Sequence, residues 1–245
     1  MRSKNLNHFS FDITLCLLKR MKPIMFLYYN AIRGFHQLKR INMHKMNISL
    51  IGLLAAVMAA TRFNHFGTAF SLPDASYAVF FLGGLYLART ARLSLIAFMV
   101  LVIGAGLIDW NATAVQGISD WCITPAYWFL MPTYASLWLA GSWYALRYSP
   151  AGNNTTGWIS GLGATVFAAS SFAFLFSNAT FFFFSGRYAE MSWIEYTSRI
   201  AQYFVPYVSV ALLYIAIAVA IQMAIDLIGR QEAFPAGHRH GNFQD

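Results

Sequence analysis

The chain has 245 residues, of which 58% are hydrophobic and only 11% charged, where a soluble domain averages roughly a quarter charged. With 22 Phe, 13 Tyr and 7 Trp against 7 Pro and 2 Cys, the composition excludes an ordinary cytosolic globule, a disordered tail, a collagen-like repeat and a disulfide scaffold. The formal net charge of +8 is concentrated at one end: residues 1–42 hold Arg2, Lys4, Lys19, Arg20, Lys22, Arg33, Lys39 and Arg40 against Asp12, and the other 203 residues sum to +1. A charge confined to a leader implies no nucleic-acid partner.

Residues 1–42 contain apolar stretches too short to span a bilayer, split by Lys19, Arg20 and Lys22. They lack the single apolar region and small-residue cleavage site of a signal peptide. They read as an N-terminal extension without a fold of its own, translated from a start ahead of Met43 or Met46, or alternatively as a segment lying on the cytoplasmic membrane surface. A membrane domain then occupies 43–230 and a cytoplasmic tail 231–245. Six apolar segments lie within that domain, at about 48–61, 74–88, 93–110, 125–146, 157–184 and 200–228. Lipid offers no partner for backbone polar groups, so only helices or a closed barrel can cross it; unbroken apolar runs without alternation select helices. The expected fold is an all-α integral membrane protein of six transmembrane helices.

Lys and Arg in the connections set the orientation. With both termini cytoplasmic, the inner side carries 14 basic residues and the outer side 3, namely Arg62, Arg187 and Arg199. The segments 62–73, 111–124 and 185–198 then face outward. They gather most of the chemistry-capable groups: Arg62, Asn64, His65, Asp74, Asp109, Asn111, Asp120, Cys122, Arg187, Glu190 and Glu195. Such a polar rim on an apolar bundle is a natural place for a solute site, although loops are also polar simply because water reaches them.

Of the two cysteines, Cys16 lies in the leader, so Cys122 has no disulfide partner on the outer side. A thiolate is a soft ligand suited to a transition metal, while a shielded small hydrophobe is the plainer alternative. With no Cys-x-x-Cys and one outward histidine, His65, any metal must bring most of its own ligands, as a corrinoid or tetrapyrrole does. Trp110, Trp121, Tyr127, Trp128 and Tyr134 surround Cys122 in sequence. They suit a flat amphipathic ligand and equally an interfacial aromatic belt. Asp109, at the outer end of the third span, is costly there unless paired or wetted by a cavity. Ala55, Ala56, Ala59 and Ala60 permit close approach of another helix, internal or from a partner. The run Phe181 to Phe184 reads as bulk ending the fifth span.

Four motifs stand at the expected outer ends: Arg62-Phe63-Asn64-His65-Phe66-Gly67, Pro73-Asp74-Ala75-Ser76, Asp109-Trp110 and, most specific, Trp121-Cys122-Ile123-Thr124-Pro125-Ala126-Tyr127. Through them the region from Met43 to Ile228 resembles the BtuM family of cobalamin (vitamin B12) transporters, solitary relatives of the S-components of energy-coupling-factor transporters. The resemblance implies an S-component-like bundle in the bacterial inner membrane with its binding site facing the periplasm. It further implies that Cys122 ligates the cobalt of base-off cobalamin, with Tyr127 and Asp109 in the pocket; among the outer-loop polar groups, Asn64, His65 and Asn111 are further candidates for ligand contact. A cysteine-dependent decyanation of cyanocobalamin, with Cys122 as the catalytic group, is implied as an accompaniment to uptake. The residues 1–42 depart from the family pattern. No Gly-x-x-x-x-Gly-Lys-Ser/Thr run occurs, so P-loop hydrolysis of ATP would belong to an energy-coupling transmembrane subunit with its ATPases. Three other readings stand beside this one: a cobalamin-processing membrane enzyme, a carrier for another vitamin on the same scaffold, and a membrane thiol protein.

Overall fold

The computed structural model describes residues 46–62, 72–117, 120–121, 123–148 and 155–232, the side chains of the last helix to 228. The chain divides into two units, Met1–Leu50 and Ile51–Asp245. Of the first, only the opening of a helix, residues 46–50, is described, and the architecture below is that of the second. Every regular element among the described residues is helical. In chain order these are α1 (Met46–Arg62), α2 (Ser76–Leu87), α3 (Ala91–Ala114), a 3-10 turn (Pro125–Phe129), α4 (Leu130–Arg147), α5 (Thr155–Phe184) and α6 (Trp193–Glu232).

Three of them, α3, α5 and α6 through Ile228, are long and apolar enough to cross a membrane. At 1.5 Å per residue, the 24 residues of α3 reach about 36 Å, beyond a hydrocarbon core of about 30 Å. The 12-residue α2 reaches only about 18 Å. The outward surfaces of the long helices are apolar: Leu95, Ile96, Val100, Ile103 and Leu107 of α3 are exposed, as are Phe167, Phe172 and Leu175 of α5 and Leu213, Ile217 and Ile221 of α6. Thr61, Arg62, Ser76, Ser94, Thr133 and Ser170 are buried instead. Apolar groups outside and polar groups inside is the arrangement expected of helices solvated by lipid tails.

The core is built around α2, in which Ser76, Ala78 to Gly84 and Leu87 are all buried. Its most extensive partner is α4, with α3 and α6 against its other sides. Glycine makes the α2–α4 approach possible. A Cβ at Gly84 would collide with the Trp138 carbonyl, and one at Gly141 with the Phe81 carbonyl, so the two backbones lie in direct contact. Polar groups tie the seam: Ser142 donates to the Gly84 carbonyl at 3.1 Å, and the Trp138 indole donates to Ser94 of α3 at 2.9 Å. Further along the chain α4 packs on α5 and α5 on α6.

α1, α2, α3 and α5, and α4 taken together with the 3-10 turn that opens at Pro125, begin and end within four residues of the expected apolar segments. The exception is α6, which starts at Trp193, seven residues ahead of the expected position. Residues 193–199 read as loop because Glu195, Thr197, Ser198 and Arg199 lower the local hydropathy, yet they form an amphipathic turn. Ser192 accepts from the Glu195 amide at 3.2 Å, Arg199 pairs with Glu195 four residues earlier at 3.3 Å, and Trp193 and Tyr196 pack on Phe182 with centroids 5.0 and 4.9 Å away.

Candidate functional site

The helices alternate in direction, so that α1, α3 and α5 bring their C-terminal ends to the place where α2, α4 and α6 begin. The last residue of α1, Arg62, is buried there. Its position is fixed through the preceding Thr61, whose hydroxyl donates to the Val57 carbonyl at 3.0 Å and accepts from the Ala75 amide at 3.2 Å, holding the start of α2 against the end of α1.

The Arg62 guanidinium meets Asp109 of α3 as a fork: Nε to Oδ1 and Nη2 to Oδ2, each 2.6 Å. This bidentate geometry fits a planar cation to a planar carboxylate and is the strongest form of the pair. Nη1 turns the other way and donates to Ser76 of α2 and to Tyr134 of α4, both at 2.9 Å. Tyr134 is held in turn by stacking on Phe80, centroids 4.1 Å apart and planes 9° from parallel. On the far side of Asp109, Tyr127 of the 3-10 turn donates to Oδ2 at 2.7 Å. Asp74 completes the cluster: its Oδ1 accepts from the Ser76 amide at 2.9 Å and the Ser76 hydroxyl at 2.6 Å, and its Oδ2 lies 3.7 Å from Arg62 Nη1. One arginine therefore joins four helices.

Beside this cluster lies a cavity of about 410 Å³. Arg62, Asp74, Asp109, Tyr127 and Tyr134 form its charged wall; Tyr77, Phe174, Tyr203 and Tyr207 form an aromatic one; Ser177 and Asn178 of α5 add polar groups. The size and the mixture of apolar walls with a few placed polar groups are those of a small-solute site.

Of the residues expected from sequence, Asp109 and Tyr127 come together here in direct hydrogen bond. Asn111 sits two residues beyond Asp109 on α3, half-buried, and is not part of the cavity lining; its carbonyl accepts from the amides of Val115 and Gln116 as the helix ends. Cys122, Asn64 and His65 lie outside the described residues. The aromatic residues near position 122 divide. Tyr127 and Tyr134 line the cavity, whereas Trp110 and Trp128 are 61% and 77% exposed, as in an interfacial belt. Trp121 lies under Arg187, whose guanidinium carbon is 4.6 Å from the ring centroid, linking the segment before α4 to the one after α5. Phe181 lines the cavity while Phe183 and Phe184 are exposed, so the phenylalanine run serves both inside and outside.

Sequence reasoning did not single out Tyr77, Ser177, Asn178, Tyr203 or Tyr207. A signal existed in the Ser177-Asn178 pair, a polar interruption within an otherwise apolar span, and in Tyr203 and Tyr207, four apart and hence on one helix face.

Among the described residues, fold and site together define an all-helical structure with three helices long and apolar enough to cross a bilayer, holding a charged and aromatic cavity at one end of its helices. No protein-family model matches the chain, and comparison with curated proteins finds no match.

Proposed function

We propose that the chain is a six-span inner-membrane carrier, both termini cytoplasmic, that binds cobalamin from the periplasm at the end where Arg62, Asp109 and Tyr127 meet. The observation that carries a solute-binding reading is the cavity itself: all six helices contribute to one polar and aromatic recess at the end of an otherwise apolar assembly. The outer-side assignment rests on the excess of Lys and Arg in the opposite connections. The choice of cobalamin rests on the family resemblance, with the support that Asp109 and Tyr127 share one hydrogen-bonded cluster and that Tyr127 follows Cys122 by five positions.

On this reading the Cys122 thiolate is the lower axial ligand of base-off cobalamin, and the corrin amides meet the polar rim. Electron donation by sulfur weakens the bond on the opposite face of cobalt. If cyanide occupies that face, two external thiols oxidised to one disulfide supply one electron to each of two cobalt(III) centres, which become cobalt(II), and cyanide departs from each as the anion. The exposed Ala56 and Ala60 of α1 offer a small-residue surface to an energy-coupling transmembrane subunit, whose ATPases would drive transport.

A second reading, a carrier for a smaller vitamin-sized solute, is favoured by the volume: a whole corrinoid exceeds about 410 Å³ and would occupy the cavity only in part. Protein purified from cells fed cyanocobalamin separates the two. One cobalt per chain, with a thiolate-to-cobalt absorption band lost in Cys122→Ser, supports the cobalamin carrier. Cobalt-free protein refutes it. Catalytic cyanide release over many turnovers would make the chain an enzyme first and a carrier second.

A further inference from the structure

The charges lining the cavity do not balance. Among its described lining residues Arg62 is the one cation, while Asp74 and Asp109 are both carboxylates. Arg62 is committed to Asp109 by two contacts of 2.6 Å, and Tyr127 donates to the same carboxylate at 2.7 Å. Asp74 receives its hydrogen bonds from Ser76 on Oδ1; its Oδ2 stands 3.7 Å from the guanidinium, beyond hydrogen-bond reach. The Asp74 side chain is also the more open of the two, 26% exposed against 14% for Asp109. Among the described lining residues the carboxylates exceed the cation by one, and Asp74 meets that cation only as a 3.7 Å ion pair between largely apolar walls, where a weakly compensated carboxylate is costly.

The same cavity is lined by aromatic rings. Tyr77 and Tyr207 lie with centroids 6.1 Å apart and planes at 58°, and Phe174 and Tyr207 at 5.6 Å and 53°. Tyr203, one turn before Tyr207 on α6, joins the same lining. Rings tilted against one another, with a carboxylate in the same lining, match the way proteins surround ammonium groups. A bare divalent ion would demand six or more oxygen ligands and fill a small part of this space.

We propose that the cavity binds a small organic cation, an amine or quaternary ammonium bearing an apolar body, with Asp74 as its counter-ion and Tyr77, Tyr203, Tyr207 and Phe174 as its aromatic enclosure. This rests on the reading of the cavity as a solute site and is independent of cobalt. The test uses the full chain in lipid nanodiscs, with benzyltrimethylammonium chloride titrated at constant ionic strength and phenylacetate as the anionic counterpart. Saturable binding at one ammonium per chain is expected, with no competition by phenylacetate. Asp74→Asn should weaken it about tenfold or more and Tyr207→Leu about threefold, the low end of the range for a cation–aromatic contact. Asp74→Glu, which keeps the carboxylate, should retain most of the binding and guards against loss through misfolding. Absence of saturable binding, equal binding of phenylacetate, or affinity unchanged in both Asp74→Asn and Tyr207→Leu overturns the proposal. The same preparations are assayed for cobalt after exposure to cyanocobalamin. Cobalt bound without ammonium binding ends this inference and leaves the cobalamin carrier standing; ammonium binding without cobalt does the reverse.

Discussion

Replacing Arg62 by methionine removes the cation from a buried carboxylate while keeping much of the side-chain volume. In the native protein Asp109 takes two charge-assisted hydrogen bonds from Arg62, and only the Tyr127 hydroxyl remains to it in the variant. Ser76 and Tyr134 also lose their 2.9 Å contacts to Nη1. Breaking a buried ion pair from one side costs about 3–5 kcal/mol. Because Asp109 keeps one good donor and is 14% exposed, we expect the lower end, about 3 kcal/mol. Asp109→Leu should cost somewhat less, because the guanidinium keeps Asp74 at 3.7 Å and its contacts to Ser76 and Tyr134. In the double variant Arg62→Met/Asp109→Leu neither member of the bidentate pair is left behind, although Asp74 loses its 3.7 Å cation as in the Arg62 single, so its loss should fall about 2 kcal/mol short of the sum of the singles. Reversible unfolding in bicelles, followed by tryptophan fluorescence, measures all three. Single losses under about 1 kcal/mol that add in the double variant would show that water already solvates both groups, and would refute the view that this pair ties the helix ends together.

Other expectations follow from the same geometry. Tyr127→Phe removes one hydrogen bond to an ionised acceptor and should cost about 1.5 kcal/mol in the same unfolding measurement, while leaving the Arg62 fork in place. Gly141→Val forces α4 away from the Phe81 carbonyl and should lower the melting temperature far more than Gly163→Val, where an added Cβ meets nothing within 4 Å. Cys122→Ser should abolish any thiolate–cobalt absorption band, a hydroxyl being a much poorer ligand for cobalt than a thiolate, and a variant with an unchanged spectrum speaks against sulfur ligation.

The helices were legible because each apolar run is long and bounded by charge or by glycine, proline and asparagine. Arg89 and Arg92 mark the α2–α3 turn, and Arg147 closes α4. The start of α6 was not legible from hydropathy, since its first two turns are held by the Glu195–Arg199 pair and by aromatic packing on Phe182. Asp109 could be singled out as needing a partner, but its partner could not be named: Arg62 is 47 positions away, and nothing local distinguishes a buried arginine at a helix end from one in a loop. The aromatic wall was hidden for a related reason. A tyrosine within an apolar span reads as bulk until tertiary packing turns several of them toward the same space.

The twelve-residue α2 has a bearing on biogenesis. Too short to bridge a bilayer and sheathed by α3, α4 and α6, it finds no stable place in lipid until those later segments have been synthesised. Integration of this chain cannot proceed as independent insertion of one hairpin after another. Nascent chains halted after α3 should be anchored by α3 with α2 still open to labelling reagents, and protection of α2 should arrive only once α4 and α6 have emerged from the ribosome.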